Sequence, residues 1–314
     1  MGIMTVGEPL GVFTPTEPGR IGPDHLFHLR VAGAEVNVAI ALARLKVPAW
    51  FGGAVGPDAV GWAVRRTLQA EGVNTTYLYQ GEGPTGLMLK EWYGLQPEPR
   101  IYYFRRATAM HDWQPPEGAG EGDGIDGVHL TGITLMLTPS LAARVRSWVE
   151  TWHARGRQLS LDINYRRRLG EAAEWRTRIE PILPYVNILF ASREELEMLW
   201  GTPHPAHLEE RGLIHPHQVV VITDGPRGAW AVQQGQEIAR VEAFSVPRVV
   251  DVVGAGDGFV GGVLAGRVKG WDWVPSLRLG ALVGAFAVAH PGDWEGYPTW
   301  HEAEALLTGQ WVDR

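Results

Sequence analysis

Asp251-Val252-Val253-Gly254-Ala255-Gly256-Asp257-Gly258-Phe259-Val260-Gly261-Gly262 places a glycine-rich turn directly before a carboxylate and an apolar run at helical spacing. Gly254, Ala255 and Gly256 bring bare backbone N–H groups close to an anion, because small residues let the chain approach it. The helix predicted to begin near Gly256 adds the positive end of its dipole at the same spot. Asp257 falls in its first turn, where it can take a proton from a hydroxyl facing the bound anion. An anion cradle beside a base is what phosphoryl transfer to an alcohol requires. Two better-known glycine motifs fail here. A P-loop needs Gly-Lys-Ser/Thr, whereas Gly256 precedes Asp257 and Gly258; a dinucleotide fingerprint wants glycine at position 259, which is Phe. On this stretch alone, an ordinary helix start capped by an acid stays open.

Around it, short β-rich runs alternate with helical patterns. Val128–Leu130, Leu159–Ile163, Val186–Phe190 and Gln218–Thr223 read as buried strands. Ala34–Leu45, Gly61–Ala70, Pro139–Arg155, Ala172–Ile182 and Glu194–Trp200 read as helices, as do Phe259–Val268 and Ser276–His290. The alternation implies an α/β fold with a mostly parallel central sheet. Val12–Arg30 and Thr85–Phe104 lack intervening helices and predict a small sheet that acts as a lid. In the second, Leu87, Leu89, Ile101 and Tyr103 alternate along the strands. No linker divides residues 1–314, so one domain is expected. Pro115–Gly127, acidic and glycine-rich, reads as a flexible surface loop, since it lacks Lys and its carboxylates repel phosphate.

The 314 residues suffice to bury a full core, and 45% hydrophobic with 20% charged residues is a globular composition. A net charge of −7 argues against nucleic-acid or anionic-membrane surfaces. With no cysteine there is no disulfide framework and no thiolate nucleophile, which fits a cytoplasmic protein. The fourteen tryptophans are read as core packing. The eleven histidines form no zinc-binding pattern.

The C-terminal stretch resembles the signature of the PfkB (ribokinase-like) carbohydrate kinases. Its N-terminal counterparts are Ala32-Gly33-Ala34-Glu35-Val36-Asn37-Val38-Ala39 and Gly52-Gly53-Ala54-Val55-Gly56, with Asp58 and Gly61 following. The segments occur in the expected order over essentially the whole chain. The resemblance implies a Rossmann-like three-layer sandwich with a β lid and an ATP-dependent sugar kinase. Asp257 would be the base, and Gly254, Ala255 and Gly256 would stabilise the transferring phosphoryl group. Magnesium would arrive with ATP, and the resemblance also implies a homo-oligomer. Monovalent-cation dependence is left open.

Within the family, Gly7-Glu8-Pro9-Leu10, Tyr102-Tyr103-Phe104-Arg105-Arg106, Thr131-Gly132-Ile133-Thr134, Asp162-Ile163-Asn164-Tyr165-Arg166 and Gly292-Asp293-Trp294-Glu295-Gly296 are most similar to 2-keto-3-deoxygluconate kinases. That implies sugar contacts from Gly33, Ala34, Asn37, Tyr103, Arg105, Arg166 and Asp293. Guanidinium groups suit the carboxylate of a sugar acid; Arg106, Arg167 and Arg168 read as solvated charges. Asn37, on an otherwise apolar helix, needs a partner, and a sugar hydroxyl supplies one. Thr223, Gly225 and Gly228, at a strand end, match the nucleotide-contacting segment, with Asn164 near the phosphates.

Four departures stand out, the first being Val252 after Asp251, where many relatives carry Thr. Ser192 replaces Asn in the segment linked to magnesium, while Glu195 is retained as a ligand acting through water. Position 258 is glycine rather than the usual alanine, which predicts a looser helical turn. Met88 stands where a tyrosine hydroxyl is expected to meet the sugar. A fructose, ribose or nucleoside kinase remains an alternative, as do a non-catalytic sugar or nucleotide sensor and, less favoured, a nicotinamide-dependent dehydrogenase.

Overall fold

A computed structural model describes residues 1–17, 19–93 and 99–309. Positions 18 and 94–98 of the two expected lid ranges, and 310–314 of the expected domain, lie outside the described residues. The chain begins with β1 (Gly2–Val6), β2 (Leu10–Pro15), β3 (Phe27–Ala32), α1 (Ala34–Arg44), β4 (Ala49–Val55) and α2 (Ala59–Ala70). Next come β5 (Leu78–Gln80), β6 (Gly86–Glu91), β7 (Arg100–Phe104), β8 (Ile125–Thr131), α3 (Gly132–Met136) and α4 (Pro139–Ala154). β9 (Gln158–Asp162), α5 (Ala172–Ile179), β10 (Ile188–Ser192), α6 (Arg193–Trp200) and α7 (Ala206–Glu210) follow. The last elements are β11 (Val219–Thr223), β12 (Ala229–Gln233), β13 (Gln236–Val241), α8 (Ala255–Val268), α9 (Trp273–Val288) and α10 (Trp300–Leu307).

Nine strands form one sheet in the order β13-β12-β11-β10-β9-β8-β1-β4-β5. Only its β11–β12 and β12–β13 pairs are antiparallel. Apolar layers cover both faces, which explains the unbroken run Val219–Ile222: Val221 enters one core, Val220 and Ile222 the other. Trp152 and Trp175 are fully buried, in keeping with tryptophan as core filling, although Trp62 is exposed. The chain order reverses around β1, with β4 on one side and β8 on the other. Such a reversal leaves a crevice at the carboxyl ends of the strands, where open α/β sheets take their ligands.

Small residues set the position of α8. An added Cβ on Gly262 would fall 2.7 Å from Gly280 Cα of α9, and one on Gly261 2.5 Å from Ala41 Cβ of α1. The helices therefore approach backbone to backbone, and the first turn of α8 comes to rest beside α1. Gly258 likewise makes room, since an added Cβ would lie 2.7 Å from Tyr297 Cε1. The expected loosening of this turn is thus accompanied by a packing reason for glycine.

The second sheet, β3-β2-β6-β7, is built from both helix-free stretches. Its β2–β6 pair is parallel, joining segments distant in sequence. The expected apolar alternation is divided between two faces. Met88 pairs with Tyr103 and Lys90 with Ile101, whereas Leu87 pairs with Phe104 and Leu89 with Tyr102. Paired residues share a face, so Leu87 and Leu89 lie opposite Ile101 and Tyr103.

Smaller corrections concern ends. β10 starts at Ile188, because Val186 closes a short turn over Leu183–Tyr185. The Pro115–Gly127 loop is tied down rather than loose: Asp123 accepts hydrogen bonds from Gly120 N, Ile125 N and the Tyr77 hydroxyl. No helix of the described residues is long and apolar enough to cross a membrane.

Candidate active site

A cavity of about 670 Å³ opens at the carboxyl ends of the parallel strands. Asp162 at the end of β9, Ser192 at the end of β10 and Thr223 at the end of β11 line it. Gly254 and Gly256 reach it from the start of α8, and Gly33, Ala34 and Asn37 from the start of α1. Met88 and Tyr103 close it from the second sheet.

Asp257 lies at the base, 7% exposed. Asn37 Nδ2 donates to its Oδ2 at 2.7 Å, and Asn164 Nδ2 to its Oδ1 at 3.1 Å. Asn164 takes a left-handed backbone (φ 46°), which asparagine tolerates better than most residues. Asn164 Nδ2 donates equally to Asp162 Oδ2 at 3.1 Å, and both asparagine Oδ1 atoms are left buried without a partner among the described residues. Unpaired buried acceptors of this kind mark a place for a hydroxyl or water. Burial pushes the Asp257 carboxyl up to about 6, against the Asn37 bond and the Arg166 charge, with Asp293 and Glu35 adding to the rise.

The cradle is held from outside. Gly254 has φ 79°, the Tyr297 hydroxyl donates to its carbonyl at 2.5 Å, and the Asp293 carbonyl oxygen fills the space a Cβ would occupy. No side chain caps α8. At Gly256 no described residue outside its own stretch of helix lies within 4 Å of an added Cβ, so the space there is open. Ala255 begins the helix but is not part of the cavity wall.

The opposite wall is acidic. Burial, with Glu195 and Asp257 close by, pushes the Asp162 carboxyl well above its usual range. Glu195 accepts Tyr165 N at 2.6 Å and Ser192 N at 2.7 Å, and Ser192 Oγ accepts Glu195 N at 3.1 Å. The pair forms the capping box of α6, so Ser192 has a folding role independent of any metal.

Arg105 lines the cavity with Arg166, and it donates to buried Glu8, which also takes the Thr108 hydroxyl. Arg166 is exposed at the cavity mouth, and its hydrogen bond among the described residues goes to Tyr165 O at 3.2 Å. Arg167 and Arg168 are exposed, as expected of solvated charges, and they also line the same mouth. The cause is the short turn Arg167–Leu169 alongside β7, where Arg168 donates to Ile101 O. Arg106 stays outside the lining.

Thr223 lines the cavity, whereas Gly225 and Gly228 do not. Gly225 (φ 52°) opens a turn in which Arg227 holds Asp224 at 2.6 Å. Gly228 (φ 92°) is required because the Val241 carbonyl lies where its side chain would be. Asp293 lines the cavity and accepts Lys90 Nζ at 2.6 Å. Residue-by-residue reading missed Lys90 and the partners of Glu8 and Glu35. Glu35 takes the hydroxyls of Thr131 at 2.6 Å and Thr134 at 2.7 Å, and its two threonines were legible only as part of a segment. The signal for Lys90 was its period of two with Met88 on one strand.

The model of the pfkB family carbohydrate kinases matches residues 3–300. The chain belongs to this family. A 2-dehydro-3-deoxygluconokinase from Bacillus subtilis is 31% identical over 317 aligned residues, covering 98% of this chain and 95% of that protein. The solved 2-dehydro-3-deoxygluconokinase of Thermotoga maritima superposes with TM-score 0.83 at 27% identity, covering 98% and 100%. A structure from E. coli, provisionally named ribokinase II and in complex with ATP and Mg2+, superposes with TM-score 0.87 at 23% identity, covering 98% and 99%. The fold is ribokinase-like, and the chain is a sugar kinase, a phosphotransferase acting on carbohydrate.

Two glycines of the kinase's cradle separate packing from ligand space. Gly254→Ala should lower unfolding free energy by more than the ~1–2 kcal/mol of a left-handed non-glycine residue, because a backbone oxygen blocks its Cβ. Gly256→Ala should leave thermal stability unchanged or raised by up to about 1 kcal/mol, since alanine favours helix. Its kcat/KM should nevertheless fall. Thermal melts and turnover of both variants check this, and full activity in Gly256→Ala would mean the open space is not used.

Proposed function

We propose that this kinase transfers the γ-phosphoryl group of ATP to the terminal hydroxyl of a 2-keto-3-deoxy sugar acid of the 2-keto-3-deoxygluconate (2-dehydro-3-deoxygluconate) type. The observation that carries this reading is the exposed Arg166 guanidinium at the mouth of a cavity whose base holds Asp257. A sugar acid spans those two features: its carboxylate meets the guanidinium and its far hydroxyl meets the base. The B. subtilis relative, named for such a substrate, supports the same choice.

Asp257 acts as general base. As the sugar oxygen bonds to the γ-phosphorus, the bond to the bridging oxygen of ADP breaks and the hydroxyl proton passes to the Asp257 carboxylate. Asn37 and Asn164 hold that carboxylate; the free Oδ1 of Asn37 receives a sugar hydroxyl, and Asn164 lies toward the phosphates. Gly33 and Ala34 form the floor beside them, Met88 and Tyr103 cover the carbon skeleton, and Asp293 accepts a further hydroxyl. Gly254, Ala255 and Gly256 offer backbone N–H groups to the phosphates, with Ser192, Thr223 and the neighbouring Gly225–Gly228 turn on the nucleotide side.

The donors present suit Mg2+-ATP: open amide space at Gly256 and carboxylates at Asp162 and Glu195 on the facing wall. The metal ion, when bound with ATP, supplies positive charge that neutralises the phosphates, with one or two protein carboxylates reached through water. The small sheet serves as a lid over one kinase domain. Tyr103 and Met88 are the residues it brings to the sugar.

Three outcomes test the reading. Asp257→Asn should keep sugar and nucleotide binding while kcat falls on the order of 10²- to 10⁴-fold. Near-normal kcat in steady-state assays would remove Asp257 from the mechanism. Because burial raises its pKa to about 6 and only the carboxylate accepts a proton, kcat/KM should be level above that pH. Below it the value should fall about tenfold per pH unit; a flat profile down to about pH 5 contradicts this. Across a panel of sugars assayed by ADP release, the sugar acid should be preferred over fructose or ribose. Arg166→Ala should then raise its KM by about tenfold or more, the size of a charged hydrogen bond. Preference for a neutral sugar, unaffected by Arg166→Ala, would favour a fructokinase-type activity.

A further inference from the structure

Lys90 is one of the most buried side chains in the protein, with 2% of its side chain exposed. It sits on β6, two residues beyond Met88, and so points to the cavity side of the small sheet. A lysine is almost never this buried unless paired. Its Nζ lies 2.6 Å from Asp293 Oδ1 and 3.7 Å from Asp251 Oδ2. Both carboxylates belong to segments that build the phosphate cradle. Asp251 Oδ1 accepts Val253 N at 3.1 Å just before the turn, and the Asp293 backbone carbonyl rests against Gly254. A single ammonium group therefore joins the small sheet to both flanks of the cradle.

We propose that Lys90 is a positioning residue for sugar binding, which holds Asp293 by one oxygen and leaves the other as a fixed acceptor for a sugar hydroxyl. This rests on the reading of Asp293 as a sugar ligand. Asp293 Oδ2 has no hydrogen-bond partner among the described residues. Burial, with the Glu295 and Asp251 charges adding to it, drives the Asp293 carboxyl toward its protonated form, and the Lys90 charge and hydrogen bond oppose that. An ionised Asp293 accepts on both oxygens, whereas a protonated one presents a donor whose oxygen is not specified. The second contact, to Asp251, sets the distance between β6 and the cradle, so the sheet that covers the sugar and the turn that faces the phosphates keep one spacing.

The test is a double-mutant cycle on the full chain with whichever sugar the panel identifies, using K90M, K90R, D293N and K90M/D293N. K90M should raise the sugar KM about tenfold or more, the size expected for a charged hydrogen bond, with the KM for ATP within about twofold. K90R should recover most of the sugar affinity. Placed on D293N, K90M should add less than about twofold, because the residue it acts through is already changed. If K90M alone fails to fold, D293N and the charge-balanced K90M/D293N carry the comparison. Equal KM values there support the proposal, and a further tenfold rise overturns it. An unchanged sugar KM in K90M, with D293N impaired, also overturns it. An unchanged KM in D293N instead removes Asp293 from the sugar site, and the role of Lys90 with it. A wrong substrate class shows separately, as the panel's preference for a neutral sugar.

Discussion

Asp257 is a buried carboxylate clamped between two amides, and the remainder of the site is arranged around keeping it there. Taking a carboxylate out of water is costly unless hydrogen bonds replace its hydration. Asn37 on α1 and Asn164 after β9 supply those bonds. Asn37 reaches Asp257 only if α8 packs closely on α1, which depends on Gly261 against Ala41, while Gly262 against Gly280 seats α8 on α9. The geometry around Asp257 is thus a consequence of helix-to-helix distance, set by residues outside the cavity lining.

The electrostatics of the cavity follow a consistent division. Its lining is rich in acids, yet most have a private partner. Glu8 has Arg105 and Thr108, Glu35 has two threonines, Glu195 has two backbone amides, and Asp293 has Lys90. The Asp257 and Asp162 carboxyls are pushed up first by burial and then by neighbouring carboxylates, Asp293 and Glu35 for Asp257, Glu195 and Asp257 for Asp162. The arginines at the mouth, Arg166 to Arg168, are exposed, so positive charge faces solvent there while the acids gather in the interior.

Much of the fold was legible because a doubly covered parallel sheet writes itself as repeated apolar runs between helices, and Val219–Ile222 is the plainest instance. The small sheet was legible in outline, but its β2–β6 pairing joins strands far apart in sequence, and no local pattern encodes that register. In the site, Asp257 and its glycine turn could be read because their chemistry is local. Asn37 stood out as a polar residue on an apolar helix, although its first partner proved to be Asp257. The resemblance to known kinases named Arg105, but its pairing with Glu8 bridges 97 positions and has no local trace. Lys90 was passed over for the same reason: a lysine in a strand normally reads as solvent-facing, and only the tertiary arrangement brings Asp251 and Asp293 to it. Gly225 and Gly228 show the converse, where a turn beside the site carries glycines for backbone reasons of its own.

The glycine-rich stretch that opens α8 therefore has several meanings. Gly254 is required by its left-handed backbone and by the Asp293 carbonyl pressed against it. Gly258 yields space to Tyr297, and Gly261 and Gly262 admit the neighbouring helices. Only at Gly256 does no described residue outside its own stretch of helix account for the missing side chain. A motif that looks like one phosphate-binding device is a series of steric permissions granted by different neighbours. That explains why the turn alone could not be told from an ordinary helix start. The meaning of Asp257 lies in what the glycines allow to gather around it: two amides and a tyrosine beneath the cradle, and a lysine from the lid sheet at its flank.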